Sequence, residues 1–263
     1  VGQIGRAAQR LRDELWRSRK EPLVGVLFDQ ENDIQWSVMS DFGRDFVADT
    51  PVQARVGVGR ALINANVPWE YVTANNLRRG LADRYRVIYL PAMLCATSDV
   101  FAALSDYVRR GGRLVMDMPG YYFDERARIT NTGRGSPFDR LFGCTLDDFQ
   151  YASNVPRALC GEALEGFVCD VTLTSARVLE EHDSGRPAVL ENVHGRGTAV
   201  LLGYAASLMC ARPGREPIER MLVRQALGPF RPPYRCDGAI VYRLAAPEAD
   251  HYFLINDGPA RAV

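Results

Sequence analysis

The residue best suited to covalent chemistry is Cys95, in the stretch "RVIYLPAMLCATSDVFAALSDYVRRGGRLV". It follows an apolar strand and precedes a helix, which is where an α/β enzyme keeps a nucleophile. An activated cysteine there needs a tight elbow relieved by glycine, a positive environment that lowers the thiol pKa, and an imidazole to take the proton. Leu94 and Ala96 flank Cys95, with no glycine on either side. The three histidines, His182, His194 and His251, all lie far along the chain. A packed, inert thiol is the better reading of Cys95. The competing one, a stand-alone amidotransferase-like or hydrolase domain with Cys95 as nucleophile, requires His182 or His194 to come within reach.

Two groups of carboxylates come next. "FDQENDIQW" places Asp29, Glu31 and Asp33 beside Asn32 and Trp36, and "MDMPGYYFDE" places Asp117, Asp124 and Glu125 beside Tyr121 and Tyr122. Each group follows a strand, at the edge where open α/β sheets bind ligands. Paired carboxylates there could exchange protons or line a small-molecule pocket with Trp36 as its aromatic wall. Asp and Asn also form turns in solvated loops with no chemistry at all. No glycine-rich phosphate cradle accompanies them. "GVGR" at 57–60 falls inside a helix, and "GRG" at 195–197 falls in a hairpin turn, where Gly195 and Gly197 are expected at positive φ. The histidines show no ligand spacing and the six cysteines contain no C-x-x-C pair, so no metal and no cofactor are expected. The sequence assigns no catalytic residue. Asp29, Glu31, Asn32, Trp36, Asp117, Tyr121 and Asp124 stand as candidate substrate-lining residues.

The elements that must position these residues alternate. The apolar run "LVGVLFD" predicts a buried strand. Residues 30–50 read as a long irregular segment, and a helix follows with Thr50 as N-cap and Pro51 in its first turn. "WEYVTA" is a second strand and "NNLRRGLADRY" a short connecting helix. "RVIYLPA" is a third strand. Ser98 starts a helix that is apolar at Val100, Phe101, Leu104, Tyr107 and Val108 and ends at Gly111-Gly112. "RLVMDM" is a fourth strand. Recurring β-α-β units at crossover spacing predict an α/β fold, a doubly wound, mostly parallel sheet of the flavodoxin-like or related class. Beyond about residue 119 the pattern changes. "SPFDRLFGC" is a short helix, and strands within 164–204 read as an antiparallel insertion that returns to a buried strand at 198–203. "EPIERMLVRQAL" closes the domain, and "AIVYRLAAPEADHYFLIND" reads as a hairpin opening a β-module that the chain truncates. Before all this, residues 3–18 set Ile4, Ala7, Ala8, Leu11, Leu15 and Trp16 on one helical face. Three units result: a connector helix over 1–22, the α/β domain over 23–230, and a β-tail over 231–263.

Composition limits the partners. Lys and Arg number 32, equal to Asp and Glu, so no net charge draws the chain to nucleic acid or an anionic membrane. No apolar run approaches the roughly 20 residues that span a bilayer, and the charged N-terminus is not a signal peptide. Scattered cysteines in apolar surroundings read as reduced thiols of a cytoplasmic protein. A start at Val1 and a stop just after "HYFLIND" read as a piece cut from a longer polypeptide.

"VGVLFDQENDIQWSV", then "YRVIYLPAMLCATSDVFAALSDYVRRGGRLVM" and Asp124-Glu125, resemble the trimerisation domain of family 42 glycoside hydrolases, the β-galactosidases. "YFLIND" resembles the opening of that family's C-terminal β-domain, and the leading helix resembles the connector from its catalytic barrel. The resemblance covers roughly residues 3–258. It implies a fold like class I glutamine amidotransferases without their catalytic triad, which agrees with the missing elbow at Cys95. It also implies that the glycosidase carboxylates sit on a separate barrel absent from this chain, so no residue here inherits them. The expected role is assembly: a homo-oligomer, a trimer by the resemblance, joined to the parent's barrel. Ile34, Trp36, Val38, Met39, Phe42 and Phe46 are the candidate interface residues, since an aromatic-rich irregular loop makes good interface anchors. A carbohydrate-binding module using Trp36, Tyr121 and Tyr122 is the third reading.

Overall fold

In the computed structural model, which describes residues 2–40, 47–236 and 238–256, the single lead-in helix expected over 3–18 is two short helices. These are α1 (Gly2–Arg10) and α2 (Arg12–Arg17), and Leu11 breaks the run at φ −94°, ψ 7°. Of the residues expected on its apolar face, Trp16 is 89% exposed and Leu11 is exposed as well. Strand β1 (Val24–Phe28) follows. Residues 30–40, expected to be irregular, instead form α3 (Gln30–Ser40). Its buried face carries Asn32, Gln35 and Trp36, while Ile34 and Val38 point outward. Polar residues inside and aliphatic ones outside leave no single apolar stripe for a periodicity argument to detect.

Helix α4 (Thr50–Asn64) has Asp49, not Thr50, at the N-cap position, and Pro51 lies in its first turn as expected. Strand β2 (Trp69–Thr73) leads into α5 (Ala74–Arg78) through a Thr73–Asn76 capping box. A 3-10 turn (Leu81–Arg84), β3 (Val87–Leu90), α6 (Ser98–Arg109) and β4 (Arg113–Met116) complete the repeating units. The five apolar residues expected to bury on α6 all do so. The second half runs α7 (Pro137–Phe142), β5 (Cys144–Tyr151), β6 (Ala158–Leu159), β7 (Glu162–Ala163), β8 (Phe167–Leu173), β9 (Arg177–Glu181), β10 (Pro187–His194) and β11 (Gly197–Leu202). It closes with α8 (Ala206–Met209), α9 (Glu216–Leu227), β12 (Ile240–Ala245) and β13 (Asp250–Ile255).

One seven-stranded sheet orders these strands β2-β1-β3-β4-β11-β10-β9. The first five are parallel, and β10 and β9 run antiparallel. The expected antiparallel insertion is thus two things. β9 and β10 extend the main sheet, while β5 and β8 pair apart from it as a two-stranded ribbon. Alternate strand residues feed two apolar layers. Ile88, Leu90, Leu114 and Met116 face one side with Trp36 and α6, and Val87, Tyr89, Val115 and Val200 face the other with α4, α8 and α9. Helix α4 packs closely on α8 because Gly57 permits it: a Cβ there would lie 1.9 Å from the Ser207 carbonyl oxygen. Gly195 has the expected positive φ of 66°, but Gly197 does not. Gly197 is needed for contact instead, since a Cβ would come within 2.2 Å of the Gly112 carbonyl. The β12–β13 hairpin is stitched to the lead-in segment by paired backbone bonds between Arg19 and Ala245, at 2.8 and 2.9 Å.

Candidate functional site

The carboxyl edge of β1, β3 and β4 gathers most of the residues singled out from the sequence, and it uses them to hold a turn. Ala92, just past β3, adopts φ 44°, a conformation that costs a non-glycine residue energy unless its surroundings impose it. Three buried side chains do so. The Asp117 carboxylate accepts the Ala92 N–H at 2.8 Å. Asn32 Nδ2 and Trp36 Nε1 donate to the Ala92 carbonyl at 3.3 and 3.0 Å. Asn32 Oδ1 then accepts the Cys95 N–H at 3.1 Å, fixing the far end of the same turn. The strained position that these three side chains hold is therefore Ala92, whose side chain can do no chemistry.

Asp117 also accepts from Ser207 N at 2.7 Å and Tyr89 Oη at 3.1 Å, so it ties β3, β4 and the start of α8 together. It is fully buried, and burial pushes its carboxyl up to about 6 against the pull of these donors. Tyr121, at φ 53°, stacks on Phe101 at 3.9 Å, and its N–H donates to the Met93 carbonyl at 2.7 Å. Tyr122 is half-buried, with its ring 4.1 Å from that of Phe149. Trp36 is fully buried, with its ring 6.0 Å from Phe167. Two expectations for Trp36 are corrected by that burial: it is neither an exposed sugar platform nor a surface anchor for a neighbouring subunit. The module reading built on Trp36, Tyr121 and Tyr122 loses its aromatic surface for the same reason.

Cys95 is fully buried. Desolvation, reinforced by the nearby Asp29, Glu125, Glu31 and Asp124, pushes its thiol up to about 12. That is opposite to what a nucleophile needs. His194 lies 3.0 Å from Ser105 Oγ, and His182 is buried beside Arg157 and Asp170 with its pKa lowered to about 4 by burial. Neither histidine joins the residue-95 turn. Asp29 is buried, with Oδ1 accepting the Glu31 N–H at 3.2 Å, and desolvation raises its pKa. Asp124 is partly exposed and accepts the N–H groups of Arg128 and Arg126, which hold its carboxyl below the usual range. Of the seven substrate-lining candidates, only Glu31 and Asp124 present solvated carboxylates. Among the described residues no cluster of His, Cys, Asp and Glu is arranged to hold a metal.

A second feature went unread in the sequence. Helices α3 and α4 are clamped by a bidentate pair, Arg55 to both carboxylate oxygens of Asp33 at 2.8 Å, and the Arg55 guanidinium lies 4.9 Å from the Phe28 ring centre. Each of the two helices also turns an aliphatic pair outward: Ile34 and Val38 on α3, Val52 and Val56 on α4. These four are between 43% and 50% exposed. Within each pair the residues stand four apart and so stack on one helical ridge. Met39, by contrast, packs partly against the core. Phe42 and Phe46 lie outside the described residues. Val52 and Val56 carried a legible signal, aliphatic residues at i and i+4, but the same helix holds more apolar residues facing inward.

The family model described as the β-galactosidase trimerisation domain matches residues 23–213. No curated protein matches. Among solved structures, a β-galactosidase from Bacillus circulans sp. alkalophilus is similar at a TM-score of 0.78 and 17% identity, covering 97% of this chain and 38% of that one. Gan42B, a GH42 β-galactosidase from G. stearothermophilus, matches at 0.71 and 22%, covering 89% and 34%. The β-galactosidase of the Antarctic haloarchaeon Halorubrum lacusprofundi matches at 0.62 and 20%, covering 87% and 34%. At these identities the likeness is one of fold, and the chain spans 34% to 38% of the length of these three relatives.

Proposed function

This chain belongs to the β-galactosidase trimerisation domain family, and we propose that it joins copies of a larger glycoside hydrolase through the outer face of α3 and α4. The assembly is a trimer in this reading. The parent hydrolyses terminal β-galactosides or related glycosides on a separate barrel, and no residue of the present chain takes a catalytic role. The carrying observation is the pair of exposed aliphatic ridges, Ile34 and Val38 on α3 and Val52 and Val56 on α4, on two helices joined by the neutralised Asp33–Arg55 pair. Exposed apolar side chains gain by being covered, and an internally satisfied ion pair joining the two helices adds no unmatched charge to the contact.

Supporting features set the rest of the reading. The parallel strand order second-first-third-fourth-fifth, counting β11 as fifth, is that of flavodoxin-like sheets. An amidotransferase-like ancestry stripped of its nucleophile fits the inert Cys95 and the alanine at the strained position. Residues 1–22 serve as the connector and 231–263 as the start of a β-domain. Glu31 and Asp124 are the only candidates left to face a substrate of the assembled parent. No helix among the described residues is long and apolar enough to cross a membrane; buried free thiols at Cys95, Cys144, Cys169 and Cys210 support a cytoplasmic setting.

The test is the mass in solution. Ile34→Asp combined with Val56→Asp places two carboxylates on exposed ridge positions, where the fold itself tolerates substitution. Light scattering after gel filtration should show the wild-type oligomer and a monomeric double variant with an unchanged melting temperature. An unchanged oligomer mass in the double variant would place the contact elsewhere.

A further inference from the structure

A closed trimer cannot be built from one surface meeting itself. Each copy turns one surface to the neighbour ahead and a different one to the neighbour behind. The α3–α4 face therefore needs a distinct complement on the next copy. We propose that this complement is the short hairpin at 123–129, whose Ile129 packs against the Ile34–Val38 ridge of α3 on a second copy of this chain. The proposal rests on the assembly reading above.

The hairpin holds its shape in solvent. Phe123 and Ile129 pair as an antiparallel bridge. Asp124 N–H donates to the Arg128 carbonyl at 2.9 Å, and its Oδ1 accepts the N–H groups of Arg126 and Arg128 at 2.8 and 2.9 Å. Ala127, at φ 58°, closes the turn and donates to the Asp124 carbonyl at 3.1 Å. At the base, Thr130 N–H donates to the Tyr122 carbonyl at 2.8 Å, and Phe123 N–H to the Leu94 carbonyl at 3.0 Å. On this frame Ile129 is 81% exposed. A loop tied in this way loses little further freedom when its apolar side chain is covered.

Position and charge favour this hairpin over the other exposed apolar sites. The residue-95 turn lies between it and α3: Asn32 Oδ1 accepts the Cys95 N–H from one side, and Phe123 bridges to Cys95 from the other. The hairpin and α3 thus flank one edge of the sheet, and both can approach the same threefold axis. Trp16 and Val193, with Ile129 the most exposed large apolar side chains among the described residues, stand elsewhere. Trp16 is on α2 in the lead-in segment, and Val193 pairs with Thr198 at the opposite, amino edge of the sheet. Charge agrees with position. The exposed Glu31 and Asp49, beside the ridges of α3 and α4, are acidic. In the hairpin the Asp124 carboxylate is engaged by backbone N–H groups, and the exposed charges are Arg126 and Arg128 against Glu125. An apolar centre with acids on one surface and an excess of arginine on the other is complementary in both respects. In this arrangement Glu31 serves the contact and not a substrate.

Light scattering and cross-linking on the whole chain test this. Ile129→Asp combined with Arg128→Glu changes two exposed side chains and keeps every backbone bond of the hairpin. It should lower the mass from the wild-type oligomer to a single chain with the melting temperature unchanged; Ile129→Asp alone replaces it if the double variant melts early. Cross-linking reads the contact directly. One preparation carries Ile34→Cys and another Ile129→Cys, both in a Cys160→Ser background because Cys160 is exposed. After subunit exchange in an equimolar mixture, a short bismaleimide should join unlike chains, and it should leave either preparation alone as single chains. The failures are distinct. If Ile34→Asp with Val56→Asp dissociates the oligomer while the folded hairpin variant keeps the wild-type mass, or if unlike chains do not cross-link, the hairpin is not the complement and the assembly reading stands. If the α3–α4 variant itself keeps the wild-type mass, the assembly reading fails and this proposal with it.

Discussion

Replacing Asp117 with Asn should remove one pH-dependent contribution to stability and leave the others in place. Asp117 is fully buried and accepts three hydrogen bonds, from Ala92 N, Ser207 N and Tyr89 Oη. Its folded pKa is about 6, against an ordinary value of 3.8. Because the folded value is the higher one, the native state holds this proton more tightly than the unfolded chain. The stabilisation is fully present below about pH 3.8 and is lost as pH rises through about 6. Integrating between pH 4.5 and pH 7.5 with those two values gives a loss of about 2 kcal/mol from this group. Asn does not titrate, so the gap between wild type and Asp117→Asn should move by about 2 kcal/mol over that window, in the direction of relative loss for wild type. Every other titrating group is common to both proteins and cancels in the difference. Asn also presents an N–H₂ where one oxygen accepted, which lowers stability at every pH alike and leaves the difference in slope intact. Urea unfolding at a series of pH values measures it. Parallel curves for the two proteins would refute the account of Asp117 as a desolvated carboxylate.

Other consequences are quicker to check. Thiol labelling at pH 7.5 should modify the exposed Cys160 first and reach Cys95 only on unfolding, since a thiol at about 12 is almost entirely protonated and is buried as well; mass spectrometry of the labelled peptides shows the order. Gly57→Ala should cost about 3 kcal/mol or prevent folding, because its methyl meets the Ser207 carbonyl and α4 must move off α8; the urea midpoint reports it. Arg113→Ala should cost about 3–5 kcal/mol by the same assay, since Arg113 is buried, pairs with Glu191 at 2.8 Å, and donates to the Gln225 and Ala226 carbonyls at the end of α9.

The sequence by itself determined the repeating α/β units. Strands β1, β3 and β4 are apolar runs bounded by turns, and α6 shows one uninterrupted stripe, so local pattern and final burial agree. The hairpin at 240–255 was legible for the same local reason. The missing glycines beside Cys95 already favoured a packed thiol, but its burial and the separation of His182 and His194 from its turn were decided by the tertiary structure. What tertiary structure decided is the fate of the polar and aromatic residues near the strand ends. Asn32, Trp36 and Asp117 look alike in sequence whether they face a ligand or bond to a backbone. Only the approach of the turn at Ala92, 60 residues from Asn32 and 25 from Asp117, makes them clamps. Helix α3 was hidden because its inward face mixes Asn32 and Gln35 with Trp36 while Ile34 and Val38 face outward, so no apolar stripe marks it. The Arg55 partner that joins it to α4 lies 22 residues away. Pairing across such distances is set by how strands and helices stack, and no local pattern encodes it.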